Sequence, residues 1–191
     1  MPLIVETIVT TLDALGAPHI APLGLIAEGE HWVIAPFKPS KTLDNLRGHP
    51  FAVASHTSDV RVFAGCVTGR KSWPVVGAET IKGVRLAAAV SHWELHVERV
   101  VEEVQRPRFF CRRVHVASHQ PWAGFNRAQA AVLELAVLVT RLDRLPPEKV
   151  ENEIAYLDIA IAKTAGSAEL EAWSWLLDKV EAWRSEPRAK G

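Results

Sequence analysis

The sequence predicts an α+β chain in which strands precede helices, and three observations carry that reading. Up to about Gln120 the residues fall into short β-branched runs separated by turn signals. After Pro121 the apolar residues recur at helical spacing. Within the first region Trp93, Leu95 and Val97 alternate with His92, Glu94, His96 and Glu98, the period of a strand with two unlike faces. Many short strands at this spacing fit a barrel or a sandwich.

Each element follows in order. Leu3 to Leu12 is rich in Ile, Val and Thr, and Asp13-Ala-Leu-Gly16 is a turn signal before Pro18 to Leu25 resumes an extended run. Glu28-Gly29-Glu30 turns the chain into His31 to Pro36, completing an antiparallel meander. Ser40 can cap a helix that begins at Lys41. Phe51 to Ser55 and Val60 to Val67 read as further strands. Gln105-Arg-Pro-Arg108 then breaks the alternating run, with Phe109 to Ala117 as its hairpin partner, because Pro107 suits a turn better than a central strand.

Beyond the strands, Arg127 to Leu142 is apolar almost all round through Val132, Leu133, Leu135, Val137, Leu138 and Val139. Such a helix needs cover on both sides, for which the barrel and a partner chain are the candidates. Pro146-Pro147 breaks it and supplies a first-turn proline to a helix carrying Val150, Ile154, Leu157 and Ile161. Ala165-Gly166 ends that helix. Ser167 reads as the N-cap of a third, striped by Leu170, Trp173, Leu177 and Val180, and the polar tail Glu186 to Gly191 is expected to fray.

Composition narrows the function classes. A chain of 191 residues can bury a sizeable core, roughly 70% of its extended surface. Lys plus Arg and Asp plus Glu both number 22, so there is no global attraction to nucleic acid or an anionic membrane. A net charge near zero also favours association of chains. Two cysteines, Cys66 and Cys111, are too few for a disulfide scaffold and read as small core residues. The N-terminus lacks the basic and apolar regions of a signal peptide, and the apolar stretch Ala128 to Leu142 is interrupted by Glu134 and Arg141. A soluble, cytoplasmic protein is expected.

The chemistry concentrates in Phe37-Lys-Pro-Ser-Lys-Thr-Leu-Asp-Asn-Leu46. Lys38 and Lys41 can give charge-assisted hydrogen bonds, Ser40 and Thr42 can turn hydroxyl protons outward, and a helix starting at Lys41 points its unpaired N–H groups the same way. That is a cradle for an anion, or an ordinary capped helix with solvated lysines. Gly65 to Ser72 resembles a phosphate loop but has three residues between its glycines, Arg70 in place of the lysine and Trp73-Pro74 where a helix must follow. A Gly-x-Gly-x-x-Gly fingerprint and a nucleophile elbow are both absent.

His92 and His96 are four apart, as are His115 and His119, but on strands that spacing spans roughly 13 Å, too far for one ion. No metal site is expected. A cross-strand pair with one histidine from each segment is the arrangement that could still chelate.

Glu6-Thr-Ile-Val-Thr-Thr11, Gly16-Ala-Pro-His-Ile-Ala-Pro-Leu-Gly24 and the Pro36 to Leu46 loop, in that order, resemble the start of the FMN-binding split barrels related to flavin reductases. Gly124 to Leu142 resembles the helical extension of one group within them, domain of unknown function 447, found in archaea and in bacteria that oxidise one-carbon compounds. The resemblance implies a six-stranded split β-barrel over 1–121 and a helical extension of about three helices over 122–191, packed on the barrel and the dimer interface. It further implies a homodimer with FMN at the subunit interface. Ser40, Lys41, Thr42 and Asn45 then match the loop that holds the FMN phosphate, with Lys38 adding charge.

Pro22, Leu23 and Gly24, in the Ala21 to Gly24 segment, lie alongside the isoalloxazine in this reading, and Phe37 flanks the ring or the ribityl chain. His19 and Leu23 stand where the Asn-x-Ala-Pro-Met-Gly version of that segment has Asn and Met. The implied function is an FMN-dependent oxidoreductase acting on a small substrate, pterin-related or linked to one-carbon chemistry by the genes that neighbour family members. A non-catalytic flavin-binding module and a cofactor-free structural dimer are the alternatives.

Overall fold

A computed structural model describes residues 1–185; the tail expected to fray lies outside the described residues. The chain forms two compact units, one of 1–58 with 72–122 and one of 59–71 with the chain from Ala123 onward.

The first unit is a closed barrel of six strands. These are β1 (Ile4–Leu12), β2 (Pro18–Glu28), β3 (His31–Ile34), β4 (Phe51–His56), β7 (Ser91–Val101) and β8 (Arg108–Ser118), in the order β1-β2-β3-β8-β7-β4. The expected turns use Gly16 at φ 83 and Gly29 at φ 61, a backbone region that costs glycine little. Val9, Leu25, Ile34, Ala52, Ala54, Leu95, Phe109 and Cys111 fill the interior, and Leu43 and Leu46 of helix α1 (Lys41–Gly48) join them. The helix that begins the candidate anion loop is thus held on the barrel core by its own apolar side.

Ile8, Thr10, Val53, Ser55, His92 and Glu94 alternate with the interior residues yet are at most 2% exposed. The outer face here is covered by a two-stranded hairpin that the sequence did not reveal, β5 (Val75–Gly77) and β6 (Val84–Leu86). Polar bonds attach it. Thr10 Oγ1 donates to Val84 O, and the Leu86 N–H donates to Ser55 Oγ at 3.1 Å. Glu94 accepts from the backbone N–H groups of Glu79 at 2.5 Å, Thr80 at 2.9 Å and Ile81 at 2.8 Å. Burial pushes the Glu94 carboxyl up, but the Glu79 N–H, the His92 ring and the other two N–H groups outweigh it and hold Glu94 below its ordinary range.

The second unit contains α2 (Arg61–Val67), α3 (Arg127–Val139), a 3-10 turn at Leu142–Arg144, α4 (Pro147–Thr164) and α5 (Ser167–Ser185). Two expectations are corrected. Val60 to Val67 is a helix and not a strand: Val60 and Ala64 share one core with Ala128, Leu135 and Leu176, and this packing overrides the β-branched composition. With it, 59–71 groups with the helices. The covers of α3 inside this unit are α2, α4 and α5, and Arg127, Glu134 and Val137 form its exposed side. Ser167 is the first helical residue and not the cap; Glu169 reaches back to the Gly166 N–H at 2.9 Å, half of a capping box.

Both cysteines are buried, and burial pushes Cys66 up to about 11 and Cys111 up to about 12. At pH 8 roughly one Cys66 thiol in a thousand is then ionised. The native protein is expected to give no fast reaction with a thiol reagent such as DTNB and to release two thiols per chain in denaturant. A fast native thiol would contradict the packing.

Candidate functional site

The Ser40-to-Asn45 segment folds as its residues require. Ser40 has extended backbone (φ −158, ψ 148) and its Oγ accepts from the Leu43 N–H at 3.4 Å, an N-cap. The Asp44 N–H reaches back to Ser40 O at 3.2 Å, whereas the N–H groups of Lys41 and Thr42 have no acceptor inside the helix. Lys41 stands beside them with its side chain 52% exposed and its Nζ 3.7 Å from Asp13 Oδ2. An exposed pair of that length contributes under about 1 kcal/mol, so the lysine can be recruited by an incoming anion.

Thr42 and Asn45 are buried at 3% and 6% exposure. The Asn45 amide donates to Thr11 Oγ1 at 2.9 Å and so ties the helix to β1. Lys38 does not project freely. Its Nζ donates to Glu103 O at 2.8 Å and to Glu102 at 3.4 Å, and its N–H donates to Gln105 O at 2.9 Å. Arg47 grips the same Glu102 through both oxygens at 2.8 and 3.0 Å, holding that carboxyl below its usual range. Phe37 is 56% exposed under the Arg106 guanidinium, 4.4 Å from the ring centroid, and Arg106 also donates twice to Ala35 O. Glu102, Arg106 and Thr11 therefore shape the loop. Sequence reading did not single them out, since each contact joins residues far apart in the chain.

Pro22, Leu23 and Gly24 lie on β2 opposite Ile8, Thr7 and Glu6. β3 pairs with β2 only at 26–28, so from Ala21 to Leu25 β2 has β1 on one side and, among the described residues, no strand on the other. Proline is tolerated at such an edge. A Cβ on Gly24 would come within 2.6 Å of Ile4 Cγ2 and 3.3 Å of Glu6 Oε1, so the barrel's own side chains occupy that space and this segment offers a ligand its backbone edge.

The other residues singled out fall elsewhere. Arg70 of the near-miss phosphate loop stacks on Trp175 at 4.4 Å within the helical unit. His92 and His96 lie on one strand, so that pair does not chelate. Among the described residues no helix is long and apolar enough to cross a membrane.

Comparison with known proteins agrees with this architecture. An FMN-bound protein from Methanosarcina mazei, itself described by the DUF447 family model, superposes with a TM-score of 0.79 at 21% identity, covering 94% of this chain and 96% of that one. A 2-nitrobenzoate 2-nitroreductase from Pseudomonas fluorescens gives 0.52 at 21% identity over 62% of this chain and 66% of its own. Flavoredoxin from Methanosarcina acetivorans gives 0.51 at 15% identity over 62% and 69%. At these identities the likeness establishes the fold, a flavin-reductase-like split barrel with a helical extension. Family models match almost end to end: residues 5–120 fit the N-terminal domain of the protein of unknown function DUF447, and residues 126–178 fit the DUF447 model that follows it. The chain belongs to the DUF447 family.

Proposed function

We propose that this protein is an FMN-binding flavoprotein and that it works as an oxidoreductase on a small substrate. The carrying observation is the start of α1. Ser40, the acceptor-free N–H groups of Lys41 and Thr42, and the exposed Lys41 ammonium converge where a phosphate would meet donors and the positive end of a helix. The donor set fits FMN, whose phosphate is the group that needs it, and the FMN-bound relative with the same fold supports the choice.

In this reading Ser40, Lys41 and Thr42 hold the phosphate and Lys38 adds charge. Asn45 fixes the helix through Thr11, while Phe37, braced by Arg106, flanks the flavin. The open edge of β2 at Pro22, Leu23 and Gly24 presents backbone groups to the polar rim of the ring. Bound FMN supplies the redox chemistry, and the protein supplies binding, orientation and exclusion of water. The working form is a cytoplasmic homodimer with FMN at the subunit interface, residues 1–121 carrying the flavin and 122–191 the helical extension. A pterin-like, planar substrate is the class we favour.

The test is a visible spectrum of the purified protein, with mass spectrometry of what it releases on denaturation. Flavin absorbance and the mass of FMN are expected. Protein that is colourless, and stays so after incubation with FMN, overturns the proposal. Reduction of the bound flavin by NADH or NADPH and its reoxidation by an acceptor would support the enzyme; inert bound flavin would leave a binding module.

A further inference from the structure

The outer face of the barrel carries a second polar cluster, formed by β7, the end of β8 and the loop before β6. His92 is fully buried, and its Nε2 lies 3.2 Å from Glu94 Oε1. An ionised carboxylate only accepts, so His92 Nε2 carries the hydrogen and, in the neutral ring, Nδ1 keeps its lone pair. That Nδ1 points at His119 Nε2 across 2.9 Å, with the two rings stacked at 5.1 Å and 12°. Glu79 brings a carboxylate oxygen within 4.8 Å of a nitrogen of each ring. Its Oε2 is bonded by His115 Nε2 at 3.0 Å, and His115 sits directly opposite Glu94 in the β7–β8 register.

We propose that His92, His119 and Glu79 bind one divalent transition-metal ion of the zinc class, with Glu94 and His115 as positioning residues. Two imidazoles and a carboxylate are a ligand set that zinc accepts. The imidazole whose far nitrogen donates to a carboxylate is the arrangement that fixes tautomer and ring orientation in such sites. Three backbone N–H bonds hold Glu94 rigidly in that supporting role. The histidine pair needs little movement: ring nitrogens about 2.0 Å from a tetrahedral ion stand roughly 3.3 Å apart, a few tenths of an ångström more than the pair shows, while the Glu79 oxygen, within 4.8 Å of them, has to swing inward to reach the ion. His119 follows the last residue of β8, Ser118, where the strand constraint ends. Arg85, whose charge acts on His119, opposes a cation there; Glu79 and Glu94 offset it with two carboxylates.

Three protein ligands leave a fourth position for water or another small ligand. The half-exposed Glu79 side chain, at 50%, marks the approach from solvent. Because Glu79 lies on the covering loop, His92 on β7 and His119 directly after β8, the ion would also fasten that loop down.

The test uses the tag-free full chain, stripped with a chelator and dialysed against zinc, with bound metal measured by elemental mass spectrometry. About one zinc per chain is expected, together with a higher thermal midpoint in zinc than in chelator. His119→Ala and Glu79→Ala should each weaken binding at least tenfold, and each variant's own midpoint in chelator is the baseline against which its zinc-dependent rise is read. Glu94→Gln should weaken it about ten- to hundredfold. Cobalt should give a tetrahedral visible spectrum that His119→Ala abolishes. No stoichiometric uptake, or uptake that survives both His119→Ala and Glu79→Ala, overturns the site.

Discussion

Replacing Glu94 by alanine is expected to lower unfolding stability by about 3 kcal/mol, read as a shift of the urea midpoint at unchanged slope. The carboxylate is fully buried and serves three backbone N–H groups and the His92 ring. Each orphaned donor costs about 1–3 kcal/mol, but Thr80 is exposed and water can reach part of the loop, so the full sum is not expected. Glu98 on the same strand is the control. It pairs with Arg112 at 2.6 Å and His31 at 3.1 Å, with a side chain 35% exposed, and its loss should cost under about 1 kcal/mol. Both are measured in chelator, which removes any contribution from bound metal. If Glu94→Ala falls no further than Glu98→Ala, the covering loop is not anchored through this carboxylate.

The Lys41→Ala, Thr42→Ala double variant is expected to bind FMN roughly a hundredfold more weakly while losing less than about threefold for riboflavin. Riboflavin shares the ring and ribityl chain but lacks the phosphate, so it isolates the donors at the start of α1. The control matters because Thr42 is only 3% exposed and its replacement could disturb the helix. Quenching of flavin fluorescence on titration gives both affinities. Equal losses would mean that the segment acts through folding; no loss for FMN would place the phosphate elsewhere.

Much of the barrel was legible because local signals and tertiary packing agree there. The turns at Gly16 and Gly29, the alternation from His92 to Glu98 and the Ser40 cap all predicted the elements that form. Failures came where packing decided. Arg61-Val-Phe-Ala-Gly-Cys-Val67 has a strand composition, yet the i, i+4 pair Val60 and Ala64 lies in a helical core. The β5–β6 hairpin is short and irregular, so nothing in the local sequence marked the cover that buries His92 and Glu94 on the polar side of β7. The anion loop was found from its own residues. Its braces were not, because Glu102, Arg106 and Thr11 reach Arg47, Ala35 and Asn45 from distant parts of the chain, which no local spacing encodes.

The membership of α2 in the helical unit bears on how this protein can be dissected. The chain leaves the barrel after Ser58, contributes one helix to the other core and returns at Ser72. A single cut near Trp122 therefore cannot yield two self-contained pieces. The upstream fragment would keep Val60 and Ala64 without the residues they pack against, and the downstream fragment would lack a wall of its own interior. Gene fusion or trimming at that point does not treat the helices as a removable appendage. The two units interleave along the sequence, so neither corresponds to one uninterrupted stretch of chain.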